Sequence, residues 1–224
     1  MKHIIIGNGV AGTEAAMSIR NIDPASEIIV ISESPYLFYY RPKLIDYLAG
    51  EASLESFTMY KMDRYQDKDI QLVLNTRVDS LDPGKKEITT SSGETHTYDR
   101  LLLATGGVSF IPPIEGIDKN GVFTFRHVAD ADSIIAHAEK NASFVIIGGG
   151  LLGLEAANSL LKRGCSVTVV EYFERILPRQ LDHEGSSMLK KMLEEKGISF
   201  ELNDSVKTIE GGDSVTGVRL DSGT

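Results

Sequence analysis

Two glycine-rich hexapeptides hold the residues of this chain best placed to do chemistry. The first is Gly7-Asn8-Gly9-Val10-Ala11-Gly12 and the second is Gly148-Gly149-Gly150-Leu151-Leu152-Gly153. Each follows a short apolar run, His3–Ile6 or Phe144–Ile147, and leads into a helix-like stretch, Thr13–Arg20 or Leu154 to about Arg163. A second apolar run then ends beside an acid. Ile28–Ile31 leads to Glu33 and Ser166–Val170 to Glu171, 26 and 23 residues after the first glycine. In such a unit the first glycine permits a tight strand-to-helix turn, the second lets backbone approach a pyrophosphate, and the third lets helix pack on strand. Phosphates sit at the helix N-terminus, where unpaired N–H groups and the helix dipole favour negative charge. The acid accepts hydrogen bonds from ribose hydroxyls. A single Gly-x-Gly-x-x-Gly is weak, because glycine turns are common. Here strand, helix and acid stand at the expected spacing twice, and the chain is read as two dinucleotide-binding units.

The elements that must position these turns define an α/β fold of two Rossmann-like three-layer domains, each dinucleotide-binding, with an antiparallel β-meander inserted in the first. The meander is expected over residues 70–100. Its strands are Ile70–Leu74, Arg77–Leu81, Glu87–Thr90 and Thr95–Tyr98, with turns at Asp82-Pro83-Gly84 and Ser91-Ser92-Gly93. Leu101–Ala104 reads as a buried strand running into Thr105-Gly106-Gly107. Val108–Gly116, with Pro112-Pro113, is the best linker, so the domains are expected at 1–110 and 111–224. Val122–Phe125 and a helix over Ala129–Glu139 lead into the second domain, and two strands, Val206–Glu210 and Val215–Leu220, close it. Asp182–Lys196 is amphipathic, with Met188, Leu189, Met192 and Leu193 expected to face the core.

Composition excludes several other classes. The 224 residues are 42% hydrophobic and 25% charged, which fits a soluble globular protein. The net charge of −9 leaves neither half basic, which argues against nucleic-acid binding. No apolar run approaches the roughly 20 residues that cross a bilayer. The N-terminus is not a signal peptide, and the expected location is cytoplasmic. His3, His96, His127, His137 and His183 are dispersed, so no metal site is expected. The single cysteine, Cys165, can form neither an internal disulfide nor a Cys-x-x-Cys pair.

The first hexapeptide with Glu33, the run Leu101-Leu102-Leu103-Ala104-Thr105-Gly106-Gly107 and the second hexapeptide with Glu171 together resemble the FAD-dependent pyridine nucleotide-disulfide oxidoreductase superfamily, over essentially the whole chain. Within it, Pro35–Leu48 is most similar to NADH:rubredoxin oxidoreductases and to the NADH-oxidising portion of nitrite reductase large subunits. The resemblance implies that the first unit binds FAD through Gly7, Asn8, Gly9, Val10, Ala11, Gly12, Glu33, Ser34, Arg41, Pro42, Val78, Ala104, Thr105 and Gly106. It implies that the second binds NAD through Gly148, Gly150, Leu151, Leu152, Gly153, Glu155 and Glu171, with Glu155 near the nicotinamide and flavin. Plainer readings stand beside these. Arg41 also reads as a surface arginine at a proline turn, Tyr36, Tyr39 and Tyr40 as packing aromatics, and Glu155 as an acid favoured by the helix dipole. Relatives that carry a lysine shortly after the Arg-Pro pair have its counterpart here at Asp46, with Lys43 offset by three. The family also completes its FAD domain with a returning strand and adds an interface domain, so this chain is expected to be C-terminally incomplete.

The implied reaction is hydride transfer from NAD(P)H to FAD, then electron release to an external carrier such as rubredoxin or a ferredoxin, without a redox disulfide. Glu171 suits the free 2′-hydroxyl of NADH and disfavours NADPH, although Arg175 four residues later could soften that preference. The alternatives are the NADH-oxidising module of a nitrite reductase and a nucleotide-binding fragment without turnover. The sequence sets no oligomeric state.

Overall fold

The computed structural model describes residues 1–138 and 143–223. The chain divides into two compact units, the first formed by Met1–Arg41 and Leu54–Val108, the second by Pro42–Ser53 and Ser109–Thr224.

The first unit opens with β1 (Lys2–Ile6), α1 (Val10–Ile22) and β2 (Glu27–Ile31). The chain then enters the second unit for α2 (Leu44–Ala49), returns through α3 (Leu54–Phe57) and α4 (Met62–Asp67), and forms β3 (Ile70–Val73). Next come β4 (Val78–Asp82), β5 (Glu87–Thr90), β6 (Thr95–Thr97) and β7 (Arg100–Leu103). A parallel sheet of order β3-β2-β1-β7 forms the middle layer, with Ile4 opposite both Ile29 and Leu101. Its central strands are uninterrupted apolar runs because both faces are covered. Ile5, Ile28 and Val30 pack against Ala16 and Met17 of α1 and Tyr65 of α4. Ile4, Ile29 and Ile31 pack against Ile88 of the antiparallel β4-β5-β6 sheet.

The α/β class, the parallel sheet and the antiparallel insertion are as the sequence implies. One assignment changes. Ile70–Leu74 was expected in the meander, but β3 pairs in parallel with β2 and forms the sheet edge. Its Ile70 joins the α1–α4 side of the core, and α4 supplies the helical crossover that a parallel partner needs.

In the second unit, α5 (Val128–Ala138), β8 (Ser143–Ile147), α6 (Leu151–Lys162), β9 (Ser166–Glu171), α7 (His183–Glu195) and β10 (Ile198–Leu202) precede a hairpin of β11 (Val206–Gly211) and β12 (Val215–Leu220). The parallel sheet has the order β10-β9-β8. Val167 and Val169 of β9 share a core with Leu154, Ala157 and Leu160 of α6, Ile134 of α5, Leu193 of α7 and Leu48 of α2. Glu139, the expected last residue of α5, lies outside the described residues. Val122–Phe125 forms no strand, and Val122 and Phe123 instead pack as side chains against the two apolar clusters.

Two expectations about this unit differ from the structure. The division expected at 110/111 falls at 108/109, and Pro42–Ser53 belongs to the second unit. Leu48 is fully buried there. Tyr47 donates to Asp132 (2.7 Å), Ser159 Oγ to the Ile45 carbonyl (3.1 Å) and Arg163 Nε to the Leu48 carbonyl. On α7, Leu193 is buried and Leu189 packs on the core, but Met188 and Met192 are 64% and 57% exposed. Ser186, whose hydroxyl donates to the Ile176 carbonyl, takes a buried position instead, so the buried stripe runs Ser186–Leu189–Leu193.

Arg20 staples the back of the first unit. Its Nε donates to the Lys68 carbonyl (2.7 Å), Nη1 to those of Pro24 (2.7 Å) and Ser26 (2.8 Å), and Nη2 to that of Asp69 (2.6 Å). Replacing the fork removes one buried bond, to Ser26, and three part-buried ones, so Arg20→Met should lower stability by about 2 kcal/mol in denaturant titration. Burial also raises the Cys165 thiol above 9.0 and the Tyr65 phenol above 10.0, so the folded chain holds protons that the unfolded chain releases. The contribution of these two groups to unfolding free energy should therefore be constant below those ordinary values and fall as pH rises through them, measured by denaturant midpoints on the alkaline side.

Candidate functional site

Each glycine turn is built by a different demand on each glycine. Gly7 has φ +113°, and a Cβ on it would run into the Ala104 carbonyl; a Cβ on Gly12 would run into the Gly7 carbonyl. In the second unit Gly148 has φ +109°, and a Cβ on Gly153 would meet the Gly148 carbonyl. These four are fixed by backbone conformation and by the close approach of helix to turn. The middle glycines are not. Gly9 and Gly150 have ordinary φ of −87° and −77°, and a Cβ on either would have nothing within 4 Å. Nothing within 4 Å inside the described structure calls for glycine there; a ligand pressed against the backbone would.

The helix ends bear on the same point. α7 begins under Asp182, whose carboxylate accepts from the Gly185 N–H at 2.8 Å. α1 and α6 begin at Gly9 and Gly150 with no side-chain cap, and their first internal bonds are Thr13 N–H to Gly9 and Leu154 N–H to Gly150. The N–H groups of Val10, Ala11 and Gly12, and of Leu151, Leu152 and Gly153, thus precede the helical ladder, as an anion site requires.

In the first unit the parallel strands bring the expected residues to one sheet edge. Gly7 N–H donates to Ile31, beyond which lie Glu33 and Ser34, and Ala104 N–H donates to Ile6, ahead of Thr105 and Gly106. Thr76 N–H donates to Ser32 and Asn75 N–H to Ser34, which holds the start of β4, and so Val78, beside the end of β2. Glu33 is exposed and lies 3.9 Å from Arg77 Nη1, a partner the sequence reading did not single out. Arg41 and Pro42 are exposed; the Arg41 guanidinium lies 5.9 Å from the Tyr39 ring centre. Tyr39 is buried edge-on to Phe57, as a packing aromatic, while Tyr40 is half exposed.

In the second unit the acid is held differently. Glu171 is 8% exposed; its Oε2 accepts from Gly149 N–H at 2.6 Å and its Oε1 from Phe173 N–H at 2.9 Å. Each oxygen keeps a lone pair for a ribose hydroxyl. Gly149 is not among the residues expected to bind NAD, yet its N–H holds the acid expected to do so, and a Cβ there would crowd Glu171 and Ile176. Beyond Glu171 a cleft of about 420 Å³ opens between Tyr172–Arg175 and Asn203–Ser205. Arg175 is engaged locally, donating to Pro178 (3.1 Å) and lying 3.2 Å from His183 Nε2 and 3.4 Å from Glu174. Glu155 is half-buried in the second turn of α6. Among the described residues no helix is long and apolar enough to cross a membrane, and no group of three His, Cys, Asp or Glu side chains could hold a metal.

Such a pair of turns defines a protein of two dinucleotide-binding α/β units. The chain belongs to the pyridine nucleotide-disulphide oxidoreductase family, whose model matches residues 1–224; its members are FAD- and NAD(P)H-dependent oxidoreductases. It is 36% identical over 222 residues to a nitrite reductase [NAD(P)H] of Bacillus subtilis (strain 168), covering 99% of this chain and 28% of that protein. It is 31% identical over 212 residues to a rubredoxin-NAD(+) reductase of Pseudomonas putida, covering 94% of this chain and 55% of that one. The crystal structure of NADH:rubredoxin oxidoreductase from Clostridium acetobutylicum superimposes with a TM-score of 0.82 at 31% identity, over 90% of this chain and 52% of that chain. The chain thus spans about half, or less, of the length of these relatives.

The different demands on the glycines separate by mutation. Gly12→Ala should cost about 3 kcal/mol or more by overpacking the helix on the turn, whereas Gly9→Ala should leave stability within about 0.5 kcal/mol. Thermal or denaturant unfolding of the two variants without ligand checks this.

Proposed function

We propose that this chain is the FAD-binding and NADH-oxidising part of a flavoprotein oxidoreductase that passes electrons to a small carrier protein such as rubredoxin or a ferredoxin. The observation that carries the reading is the pair of middle glycines, Gly9 and Gly150, each beside an uncapped helix N-terminus. The first unit holds FAD: Gly9 admits the pyrophosphate, the N–H groups of Val10–Gly12 meet its charge, and Glu33 and Ser34 take the ribose. Ala104, Thr105 and Gly106 flank it at the next strand end, Val78 approaches the adenine through its backbone, and Arg41 stands toward the pyrophosphate or flavin. The second unit holds NADH in the same manner through Gly148, Gly150, Leu151, Leu152 and Gly153, with Glu171 on the adenosine ribose and Glu155 toward the nicotinamide.

FAD supplies a hydride acceptor that can afterwards release electrons singly, which is what an iron–sulfur carrier needs. The protein's part is to bind, orient and shield. Glu171 arrives already aligned by two backbone N–H groups, so it meets ribose hydroxyls without reorganising. The same carboxylate repels a 2′-phosphate, and Arg175, tied to Pro178 and beside His183 and Glu174, is not poised to offset that repulsion. NADH is therefore the preferred donor. Electrons leave without a thiol of this chain, since Cys165 is buried with its Sγ 3.8 Å from the Ala138 carbonyl.

A second reading, the NADH-oxidising module of a nitrite reductase, rests on the 36% identity to the Bacillus subtilis enzyme and uses the same residues. The carrier distinguishes the two readings: reduction of an added rubredoxin supports the first.

The test is the visible spectrum of the purified chain with FAD, before and after anaerobic NADH. A flavin band that bleaches with NADH is the expected result. A chain that binds NADH but takes up no flavin would point instead to a nucleotide-binding fragment without turnover. Within the working protein, Glu171→Ala should raise the KM for NADH about tenfold and narrow the preference over NADPH, read from steady-state kinetics with both donors.

A further inference from the structure

The acid of the second turn is joined to a short arch of chain, Tyr172 to Leu177, whose ends are tied to that acid and to its glycine. At one end Phe173 N–H donates to Glu171 Oε1 at 2.9 Å, and at the other Leu177 N–H donates to the Gly149 carbonyl at 3.0 Å. The Phe173 carbonyl accepts from Asn203 N–H at 3.0 Å and the Ile176 carbonyl from the Ser186 hydroxyl at 2.8 Å, so the backbone of the arch is fixed. Between these ties stands Arg175, the only cation of the arch, its side chain 26% exposed on the wall of the cleft beyond Glu171. A 2′-phosphate on a ribose held by Glu171 would bring its charge to this arch.

The guanidinium is nevertheless turned to the chain's own acceptors. Nη2 donates to the Pro178 carbonyl at 3.1 Å, and Nη1 lies 3.2 Å from His183 Nε2 and 3.4 Å from Glu174 Oε1. Arginine carries only donors, so the imidazole nitrogen accepts. This place suits an arginine poorly in two respects. Its Nε is buried with no hydrogen-bond partner among the described residues. His183 is also the first residue of α7, and the dipole disfavours positive charge at that end of a helix. The side chains of Glu174 and His183 are 63% and 72% exposed, so each holds the guanidinium only weakly. Arg175 is thus kept where it is by outer side chains and one carbonyl, not by the core.

We propose that Glu174 and His183 are specificity-determining residues that withhold Arg175 from the nucleotide, so that Glu171 meets an incoming 2′-phosphate with no cation of the arch beside it. The inference rests on reading the second turn as the NADH site. It adds a removable restraint to the repulsion by Glu171: a dinucleotide carrying a 2′-phosphate becomes acceptable once the guanidinium is released, with every residue assigned to the nucleotide left in place.

The test uses the whole 224-residue chain, with NADH and NADPH affinities read from nicotinamide fluorescence. Glu174→Ala combined with His183→Ala removes both outer acceptors, and NADH binding reports that the unit stays folded. The pair should tighten NADPH about tenfold and change NADH by less than about twofold. Loss of the Glu174 charge alone would also favour a phosphate, so Arg175→Met decides the cause. Added to the pair it should abolish the NADPH gain, whereas alone it should change NADPH affinity by less than about twofold. A gain that survives Arg175→Met overturns the proposal, because removal of the acid then accounts for it. No NADPH gain in the paired variant, or an equal gain for NADH, also overturns it and leaves the NADH site standing. Weaker NADPH binding by the single Arg175→Met variant overturns it as well, since the guanidinium would then already serve the phosphate. An unsubstituted chain that binds neither nucleotide overturns the reading of the second turn, and the proposal with it.

Discussion

The contact on which both units depend is the approach of a helix to the carbonyl of the turn that precedes it. At Gly12 on Gly7, and at Gly153 on Gly148, there is no room for a single methyl group. That closeness sets where α1 and α6 begin, and it leaves their first N–H groups at the edge of the sheet with no side chain to cap them. An uncapped helix end is ordinarily a weakness. Here it occurs twice, in the same relation to a strand end and an acid, while α7 in the second unit is capped in the usual manner by Asp182.

The two copies share this frame and diverge in how they use the acid and the variable residue between the first two glycines. In the second unit that residue is Gly149, and its N–H anchors Glu171 so firmly that the carboxylate is nearly lost from the surface. In the first unit Glu33 stays in solvent near Arg77, and Asn8 turns its side chain inward to Thr13 and Tyr65. One motif therefore supports a rigid acid in one unit and a rigid amide in the other. A repeat read only as a repeat would hide this.

What could be read from the residues was what is local. Strand, glycine turn, helix and acid lie within about thirty positions, and the apolar runs of β1, β2 and β8 announce buried parallel strands. Within each unit the turn and the acid fall at the C-terminal ends of neighbouring parallel strands for the same reason. Signals set by distant partners were not legible. Ile70 looks like any short strand until α4 delivers it to β2, and Tyr65 has meaning only through Asn8, 57 positions earlier. Met188 and Met192 fit a buried stripe by spacing, but Ser186, bonded to the Ile176 carbonyl, lies on the buried face with Leu189 and Leu193, and both methionines are outside it. Helices as short as α2, α3 and α4 carry too few turns to show a period at all.

The placement of Pro42–Ser53 has a further consequence for how the chain is made. A ribosome releases α2 well before any other part of the unit whose core holds Leu48, and the intervening residues must first complete another body. During synthesis Leu44 and Leu48 are therefore an apolar face waiting for its partner, and the second unit closes only when its own strands and α6 have emerged. Cutting the gene between the two halves of the sequence would remove a piece of one body while leaving the other intact. The units are distinct in space but interleaved along the chain, so order of appearance and order of completion are not the same.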